Sequence, residues 1–65
     1  MNDDIIDYAL PTMEAEKALQ RLHQYALNKH YNEARIQAQL AMMRCASAFA
    51  ALLVMELEQE KNGRN

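Results

Sequence analysis

Between Ala41 and Val54 the chain reads AMMRCASAFAALLV, in which Arg44 is the only charge and Ser47 the only other clearly polar side chain. A helix through this stretch is apolar nearly all round, and such a helix belongs in an interior. The chain has 65 residues, a size at which a lone core is marginal without staples or a partner. Cys45 is the only cysteine. No disulfide within the chain can therefore supply the staple, and a lone thiol fits a reducing compartment. Whatever covers the run decides how the protein assembles.

A membrane is one candidate cover. Between Arg44 and Glu56 the uncharged stretch is only Cys45–Met55, well short of the ~20 residues a span needs. The sequence therefore predicts no membrane crossing. The opening MNDDIIDYAL has acids where a secretory leader has lysines and arginines, so a cytoplasmic location is expected. A helix lying on a membrane surface is disfavoured too, because the basic residues do not flank the apolar face.

One glycine and one proline, with abundant alanine, leucine, glutamate and glutamine, predict a single all-α domain over 1–65. Residues 1–11 read as an acidic arm carrying Asp3, Asp4 and Asp7, with Ile5, Ile6, Tyr8 and Leu10 as its apolar side. Pro11 disfavours helix before it and suits the first turn of a helix starting there. A first helix is expected over 12–29, with Thr12 as N-cap and Glu14 and Glu16 near the positive end of its dipole. Its stripe is Ala15, Leu19, Leu22 and Ala26, widened by Ala18 and Tyr25. The turn NKHYN, Asn28 to Asn32, leads into a second helix over 32–61 capped by Asn32, with 62–65 as a frayed tail.

So short a turn implies an antiparallel hairpin. Tyr25, Tyr31, Ala34 and Ala41 have a spacing similar to a tetratricopeptide hairpin, but the glycines are missing and the unit occurs once. The likeness is one of hairpin packing, since such repeats stack on neighbours. At ~1.5 Å per residue the second helix spans roughly 40 Å and the first roughly 25 Å. The start of the first should lie beside Ala48 to Ala51. Leu52, Leu53, Val54, Met55 and Leu57 then lack cover, except from the arm.

Heptad counting separates three seams on the second helix. The first is Ile36, Leu40, Met43, Ser47, Ala50, Val54 and Leu57. The second is Met42, Ala46, Phe49 and Leu53, bounded by Arg35 and Gln39 before it and Glu56 and Glu60 after it. The third is Ala38, Ala41, Cys45, Ala48, Leu52 and Met55, small enough for close approach of another helix. The first helix can satisfy one seam. Two hairpins with their second helices central would make a four-helix bundle closed by a two-fold axis. Dimerisation is therefore expected to use Ile36, Leu40, Met42, Met43, Ala46, Phe49, Ala50, Leu53, Val54 and Leu57.

Little else suggests chemistry. His23 and His30 are seven apart and read as structural or solvated, with no converging thiol or carboxylate to hold a metal. Cys45, among alanines, reads as a buried inert thiol. Met13, Met42, Met43 and Met55 suit gap-filling or an adaptable surface. No nucleophile–base grouping, Gly-rich loop or carboxylate pair can be assembled. The expectation is a protein that is not an enzyme and uses no cofactor. Residues 1–16 hold five acids and no base, whereas 17–44 hold five basic residues against Glu33 alone. From that basic middle, Lys17, Arg21, Lys29 and Arg35 are candidate contacts for a partner or for nucleic acid.

The acidic start MNDDIIDYALP, the charged hairpin and the tail EQEKNGRN resemble the small helical accessory proteins encoded in early regions of temperate lambdoid phages, between exonuclease and excisionase genes. That resemblance implies a non-enzymatic, phage-encoded protein that modulates host or phage regulation by protein contact in a bacterial cytoplasm. The architecture is also similar to the hairpin dimer that regulates plasmid copy number by binding RNA. The leading expectation is a homodimeric helical interaction module, a regulator or adaptor with an unidentified protein partner. The alternative is a nucleic-acid-binding hairpin dimer.

Overall fold

The structure, a computed structural model, describes residues 7–63, with side chains as far as Lys61. The described residues form two α-helices and no strand: α1, Ala9–Leu27, and α2, Tyr31–Gly63. Asp3, Asp4, Ile5 and Ile6, to which the acidic and apolar sides of the arm were assigned, lie outside the described residues.

Helix α1 begins ahead of Pro11, earlier than expected. The first turn of a helix leaves its N–H groups without internal partners, so a residue lacking one fits there. The first ladder bond runs from the Thr12 N–H to the Tyr8 carbonyl at 3.2 Å. Asp7 Oδ1 accepts from the Ala9 N–H at 2.8 Å and satisfies one of the orphan donors. Thr12 is thus inside the helix, its hydroxyl donating to the Tyr8 carbonyl at 2.8 Å, and is not the cap.

The turn is tighter than the five residues read from the sequence. Lys29 takes the left-handed conformation, φ 64°, and its N–H donates to the Ala26 carbonyl at 3.0 Å. The His30 N–H reaches back to the Tyr25 carbonyl at 2.8 Å. Those two bonds make a Schellman closure, whose usual side-chain contact is supplied by Tyr25 and His30, ring centroids 6.3 Å apart. A glycine would adopt this conformation without strain, whereas lysine does so at a cost of about 1 kcal/mol. The closure uses only Asn28 to His30, so α2 starts at Tyr31. Asn32 lies within its first turn and accepts from Arg35 Nη2 at 2.8 Å.

The contact between the helices is made of alanine. Ala15 and Ala18 of α1 and Ala34, Ala41, Ala48 and Ala51 of α2 are the buried hydrophobic residues, Ala18 completely so. Ala34, Ala41 and Ala48 recur every seven residues, the step that keeps one side of α2 turned to an antiparallel neighbour. Between them run Gln37, Arg44 and Ala51, also seven apart, and the first two carry polar links to α1. Arg44 Nε meets Glu14 Oε1 at 3.0 Å, and Arg21 Nε donates to Gln37 Oε1 at 2.8 Å. Seven residues forward on α1 match seven backward on α2, so both pairs report one register. A part-exposed ion pair of this kind contributes ~0–1 kcal/mol. Its value is in fixing the alignment of two otherwise featureless alanine faces.

That alignment leaves α2 longer than its cover. The body measures 55 × 23 × 12 Å, and its least dimension is about the diameter of one helix with its side chains. It is a single layer, whereas stable domains pack at least two.

Candidate interaction surface: the uncovered faces of α2

With α1 seated on the alanine face, the other two seams of α2 face outward. On the first, Ile36 is 47% exposed and Leu57 57%; Met43, Ser47, Ala50 and Val54 are exposed as well, and Leu40 is half-buried. The Ser47 hydroxyl donates to the Met43 carbonyl at 3.3 Å. Its polarity is thereby turned back into the helix, and the seam stays effectively apolar. On the second, Met42 is 70% exposed and Phe49 68%, with Ala46 and Leu53 exposed between and beyond them. Of the residues assigned to a dimer interface only Leu40 is partly covered, and the others are exposed. None is buried within the hairpin.

The face that α1 covers is the expected small-residue seam, turned by part of a helical step. Ala41 and Ala48 are buried and Ala38 is half-buried, but Cys45, Leu52 and Met55 are exposed. Gln37, Arg44 and Ala51 flank the buried row in place of Cys45 and Leu52, with Arg44 and Gln37 linked to Glu14 and Arg21, whereas Met55 continues that row beyond the start of α1. On α1 the stripe is turned likewise: Ala15, Ala18, Leu22 and Tyr25 face α2, and Leu19 is exposed. Cys45 is therefore not the buried thiol the alanine surroundings suggested.

Leu19 and Cys45 instead border an open groove of about 340 Å³ between the helices, lined also by Thr12, Ala15, Glu16, Ala48, Phe49 and Leu52. The groove continues the second seam toward α1. Glu14–Arg44 and Arg21–Gln37 lie on the opposite side of the hairpin, as their helical positions require. One broad face is therefore concave and apolar except for Glu16 at the groove, and the other carries the polar links.

The four basic candidates do not gather. Lys17, Arg21, Lys29 and Arg35 are all exposed, but Arg21 is tied to Gln37 on the polar side. Arg35 stands seven residues before Met42 and so shares the side of the second seam. Lys29 is in the turn. His23 and His30 are exposed, and among the described residues no group of three or more His, Cys, Asp or Glu gathers as metal ligands would.

The membrane expectation changes in its premise. Counting only the uncharged stretch understates α2, whose Tyr31–Lys61 span contains an 18-residue window of mean hydropathy 1.7 with no more than two charged residues. Only 17% of that window is buried. By length and composition α2 is apolar enough to cross a bilayer. In the hairpin α1 lies alongside the first part of that stretch. Insertion with α1 in place would carry Glu16, Lys17, Arg21 and their neighbours to membrane depth, at ~2.5–3.5 kcal/mol for each central charge.

No protein family, characterised protein or solved structure matches the chain.

Proposed function

We propose that the protein is a non-enzymatic, homodimeric helical interaction module, a small regulator or adaptor that acts through protein contact. Two hairpins close into a four-helix bundle with their α2 helices central. The observation that carries this reading is the outward-facing pair of apolar seams on a layer one helix thick. A standard interface covers about 800 Å² on each partner. A second hairpin has the size and the shape to supply that cover, and the acidic start and charged α1 fit the style of the phage accessory proteins. The nucleic-acid alternative has less support, since Arg21 and Arg35 lie on different sides of the hairpin.

Thermal melting tests the reading. Folding coupled to association gives a Tm that rises with protein concentration. We expect a rise across a hundredfold range of concentration; a constant Tm over that range would overturn obligate dimerisation.

A further inference from the structure

We propose that the second copy docks antiparallel on the groove-side face, α2 against α2, with the two-fold axis between Ser47 and Ala48. This rests on the homodimer reading and adds to it an orientation, a register and a choice between the two open seams. The second seam is nearly a palindrome. Its members and flanks, Arg35, Gln39, Met42, Ala46, Phe49, Leu53, Glu56 and Glu60, alternate steps of four and three in either direction. An antiparallel copy centred on it sets Met42 opposite Leu53 and Ala46 opposite Phe49. The bulky ring of each chain then meets the smallest residue of the other, beside the open groove bordered by Cys45 and Leu19.

The charges at the ends choose the direction. Antiparallel pairing brings Arg35 to Glu60 and Gln39 to Glu56, twice per dimer. Parallel pairing would set Arg35 against Arg35 and Glu60 against Glu60. Opposite charges favour the first arrangement and like charges oppose the second. Arg35 and Glu60 are both exposed, and Arg35 is held only by an amide three residues away. The first seam also has an opposite-charge pair available to it, Glu33 with Lys61, but it lies on the far side of α2 from the groove bordered by Phe49. On the second seam the Phe49 ring and the groove that it borders lie on the same face.

The register also accounts for the mismatch in helix length. With α2 helices matched end to end, the overhang of each chain lies at the level of its partner's α1. Each hairpin covers the length that the other leaves bare.

The test reverses charges and reads the dissociation constant at low salt by sedimentation. Arg35→Glu and Glu60→Arg should each weaken the dimer about ten- to thirtyfold, by turning two attractive pairs into two repulsive ones. The double variant should recover the affinity of the wild type. Glu33→Lys and Lys61→Glu should leave it within about twofold. A wild-type dimer that ignores the changes at Arg35 and Glu60, or whose double variant stays weak, would overturn the register and leave dimerisation standing. Weakening at Glu33 and Lys61 instead would move the contact to the first seam and overturn this choice of face. A wild type that is monomeric throughout would overturn both the register and the homodimer, and leave the face to another kind of partner.

Discussion

Phe49→Asp is expected to raise the dimer dissociation constant at least a hundredfold and to lower helicity with it. The ring is 68% exposed on the isolated hairpin, so the substitution costs the monomer's own packing little. In the dimer it buries two unpaired carboxylates, and an uncompensated buried charge costs about 3–5 kcal/mol. Helicity should fall together with mass, because a hairpin held by an alanine contact has little burial of its own to resist unfolding. Sedimentation and circular dichroism at one concentration read both effects. Unchanged mass and unchanged melting would place the interface elsewhere.

The second large effect belongs to the contact inside the hairpin. Ala41→Leu should destabilise the fold by about 1–3 kcal/mol, lowering Tm by roughly 5–20 °C in a domain of this size. Ala41 is 4% exposed and lies centrally in the buried row Ala34, Ala41, Ala48. A leucine there pushes α1 off the seam and strains the paired register of Glu14–Arg44 and Arg21–Gln37. On a free helical face the same change would be favourable, since leucine is nearly as good a helix former and more apolar. The sign of the effect therefore reports which face α1 covers. A rise in Tm would mean that α1 sits on a different seam.

Much of the hairpin could be read from the sequence because its signals are local. Scarcity of glycine and proline and the short polar break at Asn28–His30 each depend on neighbours in the chain, whereas Glu14 and Glu16, expected near the positive end of α1, lie beyond its first turn because the helix starts at Ala9. The overhang followed from length alone. The details that were misread depend on contacts across the hairpin or on backbone closure. A lysine in the left-handed position is not its favoured conformation, so NKHYN gave no sign that three residues would suffice or that Asn32 would fall inside α2. Pro11 marked a boundary, and the helix simply placed it in its first turn. Arg44 is the clearest missed signal. As the one charge in an apolar run it needed a partner, and Glu14 and Arg21 stand seven apart on α1 just as Arg44 and Gln37 do on α2. Matching those two intervals would have turned the covered face toward Gln37, Arg44 and Ala51, and would have left Cys45 and Leu19 outside.

The candidate surface was legible for a different reason. Three apolar seams on one helix exceed what a single amphipathic neighbour can cover, whichever seam it takes. Periodicity could count the uncovered seams, but the choice of the alanine face by α1 depended on side-chain size and on the two polar links.

The claim on which the rest depends is that a second copy of the chain covers α2. Sedimentation equilibrium of the wild-type chain at micromolar concentration tests it most directly. A species of twice the 7.5 kDa chain mass, helical and reversibly dissociating on dilution, is expected. A folded, helical species at the mass of one chain would contradict it.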